Sequence, residues 1–253
     1  MKGIIVASFG SSHRDAYEKS IGKIRDRVKE TYPDYYVNEC TSSDMVRKII
    51  EKRDGYHYMN MGEALLDMEN RGVTDVYILS LYVIKGVELE KIMDQANAYN
   101  INGGLNIKFS EALLETDEQI GKTAKALLDY RNSNHDAVIF MGHGSYHEAD
   151  IVYEKLQVEL DNLNSHTYVG TIEGKLGFDE IISRLAWEKG NKLLLAPFLL
   201  VAGDHAKNDM DSNDDSWRVL LEERGCEVDV ILEGLCERDS INDIFMENLQ
   251  GIL

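Results

Sequence analysis

Short apolar runs alternate along the chain with longer amphipathic segments. The eight runs that predict strands cover residues 3–9, 35–41, 76–84, 105–113, 137–142, 167–174, 192–203 and 226–234. Several are rich in Val, Ile and Leu with no alternating polar positions, which is typical of parallel strands covered on both faces. The segments between them predict helices, because their apolar residues recur near one helical face, as in residues 13–32. The pattern therefore predicts an α/β fold with mostly parallel sheets.

The eight predicted strands fall into two sets of four, and similar residues follow corresponding strands. The matched pairs are Gly10 with Gly142, Thr41 with Glu173, Glu88 with His205, and Glu111 with Glu233. A general likeness between α/β halves is the alternative explanation, but four matches in the same order favour an internal repeat. We therefore predict two similar domains, 1–126 and 127–253, each with a four-stranded parallel sheet flanked by helices. A polar stretch at residues 130–136 suits the linker.

Composition and charge narrow the class of protein. With 253 residues, of which 43% are apolar, the chain is long enough to bury a substantial core. Its net charge of −18 argues against nucleic acid and anionic membranes as partners, since both would need a basic face. No apolar run is long enough for a membrane-spanning helix, and the N-terminal run is too short for a signal peptide. Three cysteines without a CxxC pair suit a reducing compartment, so we expect a cytoplasmic protein.

Polar side chains follow the predicted strands at the carboxyl ends, which is where open parallel sheets bind their ligands. The second half carries His143, Glu173 and His205 at these places, and the first half carries Ser11, Thr41 and Glu88. If the two halves face each other, all six residues line one cleft. Two imidazoles and a carboxylate predict a site for cobalt, nickel, iron(II) or zinc, with coordination positions left open for a substrate.

Other interpretations of these residues stay open. A histidine after a strand often only hydrogen-bonds a turn, and His147, four residues after His143, is either a further ligand at helical spacing or the start of a helix. Ser11 or Ser145 beside a histidine would suit a hydrolase, although no G-x-S-x-G elbow is present. No G-x-G-x-x-G follows the first strand and no P-loop motif occurs, so neither a dinucleotide nor an ATP site is predicted.

Five longer stretches carry a resemblance that covers nearly the whole chain. They are "VASFGSSHRDA" (6–16), "CTSSDMVRKIIEKRDG" (40–55), "SLYVIKGVELEKI" (80–92), "VIFMGHGSYHEAD" (138–150) and "APFLLVAGDHAKNDM" (196–210), the last followed by "SNDDSW" (212–217). These stretches resemble the anaerobic sirohydrochlorin cobaltochelatases of cobalamin biosynthesis, which belong to the ATP-independent class II chelatases. The long "LVAGDHAKNDM" segment is much more specific than the short "MGHG".

The resemblance implies two flavodoxin-like halves with a tetrapyrrole cleft between them, in which Co²⁺ is inserted into sirohydrochlorin. It implies that His143, Glu173 and His205 hold the metal, and Glu88 matches an acidic residue of the family that faces the cleft. His143, His205 and Glu88 are the candidate catalytic proton acceptors, because the tetrapyrrole loses pyrrole N–H protons as the metal enters. Fe²⁺ for sirohaem and Ni²⁺ for another tetrapyrrole are alternative substrates, and a metal or tetrapyrrole carrier without turnover is an alternative of another class.

Sirohydrochlorin is a polycarboxylate, so an acidic protein needs local cations or hydrogen-bond donors to bind it. The candidate substrate contacts are Ser11, Ser12, Thr41, Lys85, Ser145 and Lys207. The serines lie in loops that lead into predicted helices, where N-termini favour anions, whereas ordinary solvation is the alternative for the lysines. The sequence leaves the oligomeric state open, and a homo-oligomer is compatible with it.

Overall fold

The computed structural model describes residues 1–101, 103–185, 190–212 and 214–253, and the side chains of Asp204 and His205 lie outside that description. Contacts divide the chain into two compact units. Unit 1 comprises Met1–Leu113 and Asn242–Leu253, and unit 2 comprises Leu114–Ile241. Each unit contains a parallel sheet, and the eight apolar runs of the sequence form the strands of both sheets.

The two sheets have the same order of strands. In unit 1 the order is β2-β1-β3-β4, and the strands are β1 (Lys2–Ser8), β2 (Tyr36–Thr41), β3 (Asp75–Leu81) and β4 (Asn106–Phe109). In unit 2 the order is β6-β5-β7-β8, and the strands are β5 (Ala137–Gly142), β6 (Thr167–Thr171), β7 (Lys192–Phe198) and β8 (Glu227–Val230). The expected fold of two four-stranded parallel sheets is confirmed.

The pattern of apolar residues distinguishes the central strands from the edge strands β4 and β8. The central strands β1, β3, β5 and β7 have buried side chains at nearly every position, as strands covered on both faces require. In the edge strands β4 and β8, exposed polar side chains alternate with half-buried apolar ones. Charged side chains on these edges oppose pairing with the strands of other chains.

The helices lie between successive strands and after the last one. They are α1 (Arg14–Tyr17), α2 (Lys23–Thr31), α3 (Asp44–Asp54), α4 (Met61–Asn70), α5 (Val87–Tyr99), α6 (Asp117–Leu127), α7 (Ile151–Asn162), α8 (Phe178–Arg184), α9 (Asp204–Lys207), α10 (Trp217–Glu223) and α11 (Asp239–Gln250). A π-helical turn, Glu18–Gly22, joins α1 to α2, so the segment predicted as one helix is helical over residues 14–31. No described helix is long and apolar enough to cross a membrane.

The two units differ from the expected halves, 1–126 and 127–253, at both chain crossings. Helix α6 packs on α7 in unit 2, where Lys155 Nζ lies 2.9 Å from Asp117 Oδ1, so the chain enters unit 2 before α6 and not after it. The C-terminal segment returns to unit 1, where Lys108 Nζ donates to the Ile252 carbonyl at 3.0 Å. Amphipathic patterning marks the apolar face of a helix but does not say which sheet this face will cover.

The common sheet order confirms the internal repeat and defines its register. Three strands of unit 1 end side by side at Ser8, Thr41 and Leu81, and three strands of unit 2 end side by side at Gly142, Thr171 and Phe198. The predicted match of Glu88 with His205 is correct, because these are the second residues of α5 and α9.

The register corrects the other three predicted matches by one or two residues. The structurally equivalent pairs are Gly10 with Gly144, Thr41 with Thr171, and Glu111 with Leu232, in place of the predicted partners Gly142, Glu173 and Glu233. A local hydrogen bond supports the new register after the first strand of each unit. His13 N donates to Ser11 Oγ at 3.2 Å, and His147 N donates to Ser145 Oγ at 3.0 Å. The repeated sequence is therefore G-S-x-H, at residues 10–13 and 144–147.

Candidate metal centre

His143 and Glu173 lie side by side at the carboxyl end of the sheet of unit 2. Backbone pairing between β5 and β6 continues past the strand ends, because Ile172 N donates to the Gly142 carbonyl at 3.0 Å and Glu173 N donates to the His143 carbonyl at 2.8 Å. The side chains of His143 and Glu173 are both half-buried. The backbone therefore places two of the three predicted metal ligands at adjacent strand ends.

This close approach requires glycine at position 144. Gly144 has a φ of +75°, and a Cβ atom there would lie 1.7 Å from the Glu173 carbonyl oxygen. Any side chain would push the loops after β5 and β6 apart and would also adopt a backbone conformation that costs L-residues about 1–2 kcal/mol. Gly144 is one of the two glycines that flank His143 in the sequence, and its lack of a side chain permits this close approach.

The ring of His143 is oriented by a backbone carbonyl. Its Nδ1 atom lies 3.1 Å from the Gly144 oxygen. Because a carbonyl oxygen can only accept, Nδ1 is the protonated nitrogen, and in the neutral ring the lone pair resides on Nε2. Metal-binding histidines commonly use this arrangement, in which one nitrogen donates to a carbonyl and the other binds the ion.

The third predicted ligand, His205, is only partly placed. It is the second residue of α9, which follows β7, but its side chain lies outside the described residues. Among the side chains that are described, no three His, Cys, Asp or Glu residues cluster closely enough to hold a metal ion. The complete set of His143, Glu173 and His205 therefore stays a prediction.

His147 caps a helical turn. Its Nδ1 atom accepts a hydrogen bond from Ala149 N at 3.2 Å, at the start of the 3₁₀ turn Glu148–Asp150. Residues 143–147 form a loop after β5, so His143 and His147 are not related by helical i,i+4 spacing. The interpretation of His147 as the start of a helix is confirmed, and the helical pairing with His143 is wrong.

Asp150 is a buried residue that the sequence analysis did not select. The residue is 5% exposed, and its two carboxylate oxygens accept hydrogen bonds from Ser145 N at 2.9 Å and from Lys175 N at 3.0 Å. Burial raises the pKa of the neighbouring Tyr153 phenol, and the Asp150 carboxylate raises it further. A signal was present in "GSYHEAD", where an acidic residue closes the loop that carries His143, but this residue looks like an ordinary charge at a helix start.

Glu88 occupies the position in unit 1 that His205 occupies in unit 2. It lies in the first turn of α5, where the helix dipole favours a negative charge. Its Oε2 atom accepts a hydrogen bond from the buried Ser42 Oγ at 2.7 Å, and Lys91 Nζ donates to the Ser42 carbonyl at 3.0 Å. The Glu88 carboxylate is thus held in place at the carboxyl end of the sheet of unit 1. Ser42 was missed from the sequence because it is one of two adjacent serines before α3.

The other predicted substrate contacts differ in their exposure. Thr41 and Ser11 are only 3% and 8% exposed, so both lie beneath the surface of unit 1. Thr41 packs against Gly10, where a Cβ atom would lie 2.5 Å from the Thr41 methyl group. The remaining candidates are half-buried or exposed, and they are Ser12, Ser145, Lys85 and Lys207.

The repeat places different chemistry on the same backbone in the two units. In unit 1, Ser43 N donates to the Phe9 carbonyl at 3.4 Å, which is the equivalent of the bond from Glu173 N to His143. Unit 1 thus carries a phenyl ring and a hydroxyl at the positions where unit 2 carries an imidazole and a carboxylate. Of the described residues at these equivalent positions, those with metal-binding side chains are His143 and Glu173 in unit 2 and Glu88 in unit 1.

Solved structures that share this architecture include the sirohydrochlorin chelatase SirB. SirB from Bacillus subtilis with Fe³⁺ matches with a TM-score of 0.66 at 10% identity, and the match covers 98% of this chain and 94% of that one. CbiX, described as the terminal enzyme for biosynthesis of siroheme in denitrifying bacteria, matches with a TM-score of 0.58 at 12% identity over 100% of this chain and 99% of that one. At such low identity these likenesses define the fold, which is that of the chelatases.

Relatives identified by sequence then define the family. Sirohydrochlorin cobaltochelatase from Salmonella typhimurium strain LT2 is 31% identical over 100% of this chain and 96% of its own length. Sirohydrochlorin cobaltochelatase CbiKC from Nitratidesulfovibrio vulgaris strain Hildenborough is 30% identical over 98% of this chain and 89% of its own length. The family described as "Cobalt chelatase (CbiK)" matches residues 2–253. The chain belongs to this family, and it is a metal chelatase.

Proposed function

We propose that this chain inserts Co²⁺ into sirohydrochlorin without using ATP. The observation that carries the proposal is the end-to-end match, at about 30% identity, to two relatives that bear the name sirohydrochlorin cobaltochelatase. The reaction exchanges the N–H protons of the tetrapyrrole for the metal ion, so the protein has to hold the ion, accept protons and bind a polycarboxylate ring.

His143, Glu173 and His205 are proposed to hold the incoming ion. The backbone bond from Glu173 N to the His143 carbonyl and the orientation of the His143 ring support two of these ligands. The position of His205 at the start of α9 supports the third. Nitrogen and oxygen donors suit a divalent transition metal, and three protein ligands leave coordination positions for exchange with ring nitrogens.

Glu88 is proposed to accept a proton from the tetrapyrrole. A carboxylate fixed by Ser42 at the N-terminus of α5 is preorganised for this task. His143 and His205, once they have released the metal, are the further proton acceptors on the chain. Lys85, Lys207 and Ser12, which are exposed or half-buried, are the proposed contacts for carboxylates of the substrate.

Anaerobic metallation with sub-stoichiometric protein tests the proposal. Sirohydrochlorin is mixed separately with Co²⁺, Fe²⁺ or Ni²⁺, and the tetrapyrrole absorbance is followed with and without protein. We expect several turnovers per protein molecule with Co²⁺, at a higher rate than with the other two ions and with no nucleotide added. A faster reaction with Fe²⁺ or Ni²⁺ would assign a different metal, and a single stoichiometric uptake would indicate a carrier.

Substitution of the ligands tests the proposed metal site. His143→Ala and His205→Ala should each reduce metallation to the uncatalysed rate while the protein stays folded, because loops at strand ends contribute little to the core. The matched control is His57→Ala, since the His57 side chain is 52% exposed and contacts Glu63 in unit 1. Full activity in both ligand variants would remove these residues from the metal site.

We also propose that the protein acts in the cytoplasm. Cys40 and Cys226 are buried free thiols, as expected for a reducing compartment. Cell fractionation followed by immunodetection tests this location, and recovery outside the cytoplasmic fraction would contradict it. A homo-oligomer stays a prediction, which sedimentation analysis of the purified chain would address.

A further inference from the structure

Asp150 joins the two loops that begin at the proposed metal ligands. The backbone N–H of Ser145, two residues after His143, donates to Asp150 Oδ1 at 2.9 Å. The backbone N–H of Lys175, two residues after Glu173, donates to Asp150 Oδ2 at 3.0 Å. One carboxylate therefore ties the loop after β5 to the loop after β6, two residues beyond each of the residues proposed to bind the ion.

The surroundings of Asp150 are fitted closely to its carboxylate. Gly174 has a φ of +99°, and a Cβ atom there would lie 2.4 Å from Asp150 Oδ2. Asp150 is buried, with 5% of the residue exposed, so water competes little for the two hydrogen bonds. Charge-assisted bonds from backbone N–H groups to a buried carboxylate are stronger than neutral ones. The link between the loops is therefore both tight and rigid.

The corresponding position in unit 1 has no such link. The repeat register that pairs Ser11 with Ser145 pairs Ala16 with Asp150. The bond from Ser43 N to the Phe9 carbonyl, at 3.4 Å, is also longer than the 2.8 Å bond from Glu173 N to His143. The carboxylate link thus occurs in the unit that carries the proposed imidazole and carboxylate ligands.

We propose that Asp150 is a positioning residue that fixes the spacing of His143 and Glu173 before the metal arrives, an inference that rests on the proposed metal site. A carboxylate supplies two acceptor oxygens for the two N–H donors. An asparagine has one acceptor oxygen and an NH₂ group. Asp150→Asn therefore loses one hydrogen bond, and its NH₂ group faces one of the two backbone N–H donors. The loops then lose their fixed separation although the ligands themselves are unchanged.

The test compares Asp150→Asn with a matched substitution at the opposite end of the same sheet. Asp136 Oδ2 accepts a hydrogen bond from Lys192 N at 2.8 Å, at the amino ends of β5 and β7, so Asp136→Asn makes the same side-chain change far along the strands from the ligands. Co²⁺ affinity is measured by anaerobic titration, and folding is checked by chemical denaturation. We expect Asp150→Asn to weaken Co²⁺ binding about 10- to 100-fold and Asp136→Asn to leave it unchanged.

Steady-state kinetics separate positioning from a general loss of structure. Asp150→Asn should raise the KM for Co²⁺ in proportion to the loss of affinity and leave the KM for sirohydrochlorin unchanged. Folded Asp150→Asn protein with Co²⁺ affinity within twofold of the wild type would overturn the inference. If His143→Ala also kept its affinity, the proposed metal site itself would fail, whereas loss of affinity in His143→Ala alone would reject only the role of Asp150.

Hydrogen exchange of the wild-type protein gives a second measurement that does not depend on a variant. The Ser145 and Lys175 amides should be protected at least tenfold in the metal-free protein, relative to exposed loop amides, because both already donate to a buried carboxylate. Exchange of these two amides at the rate of exposed loops would show that the link is absent before the metal binds, and would overturn the inference.

Discussion

Replacing Gly144 with alanine should separate the loops that carry His143 and Glu173. The new Cβ atom would lie 1.7 Å from the Glu173 carbonyl oxygen, so it cannot be accommodated by a side-chain movement. The left-handed backbone costs about 1–2 kcal/mol for alanine. Separation of the loops also breaks the hydrogen bonds from Glu173 N and Ile172 N, each worth about 1 kcal/mol. We expect a total loss of about 3–4 kcal/mol.

The control is Gly190→Ala in the same unit. Gly190 has a φ of +97°, but no atom of the described residues lies within 4 Å of a Cβ added there. This variant therefore carries the backbone cost of about 1–2 kcal/mol without the collision. Subtracting its loss from that of Gly144→Ala leaves the contribution of the contact between the two loops, about 2 kcal/mol for two hydrogen bonds.

Urea unfolding followed by tryptophan fluorescence measures the difference within unit 2. Trp217 lies in unit 2 and is 6% exposed, so its emission reports on the folding of that unit. Co²⁺ titration of folded Gly144→Ala protein should also show weakened binding, by about tenfold or more. Equal losses of stability in the two alanine variants, or unchanged Co²⁺ binding in Gly144→Ala, would refute the reasoning.

Three further predictions address proton transfer, pH dependence and the division into units. Glu88→Gln should lower kcat for metallation and leave the Co²⁺ affinity of unit 2 unchanged, and a parallel loss of affinity would contradict its role as a proton acceptor. Burial raises the pKa of the Cys40 thiol to about 12, so the folded state keeps a proton that the unfolded state loses above pH 9. Stability should therefore fall by about 1.4 kcal/mol per pH unit more steeply in the wild type than in Cys40→Ala between pH 9 and 12, as measured by urea unfolding. Phe245→Ala leaves a cavity at a fully buried position in the C-terminal segment of unit 1. It should lower the free energy of unfolding of unit 1 by about 3–5 kcal/mol, so that unit 1 unfolds before unit 2. Loss of circular dichroism should then precede the change in tryptophan emission, and coincident transitions would contradict the division.

The strands were predictable because a short run of apolar residues without polar positions is typical of a strand covered on both faces. A run such as residues 137–142 has no polar position that could face water, so it suits only a strand covered on both faces, and β5 occupies those same residues. The long predicted runs overshoot their strands, however. The run at residues 192–203 ends as a strand at Phe198, because apolar residues continue into the loop before α9.

The repeat matches between the two halves were wrong where the two sequences can be aligned in more than one register. The predicted match of Gly10 with Gly142 rests on a glycine alone, whereas the sequence G-S-x-H, present in both halves, pairs Gly10 with Gly144. A glycine at a strand end is common, but a serine that bonds the backbone N–H of a histidine two residues later is a specific feature of both loops. The role of Asp150 was beyond the sequence, because it depends on Lys175, a residue 25 positions away that only the sheet brings close.

The repeat separates what the fold requires from what the chemistry requires. Both units need a glycine at positive φ after the first strand, since Gly10 and Gly144 each pack against a threonine that ends the second strand. Neither unit needs a particular side chain just before that glycine, because Phe9 and His143 occupy equivalent places on the same backbone. Ligands could therefore differ between the halves without a change in the sheet. The carboxylate of Asp150 has no counterpart in unit 1, so the architecture of the sheet does not explain it. Its presence beside His143 and Glu173 is explained if holding a metal ion demands a narrower range of loop positions than folding does.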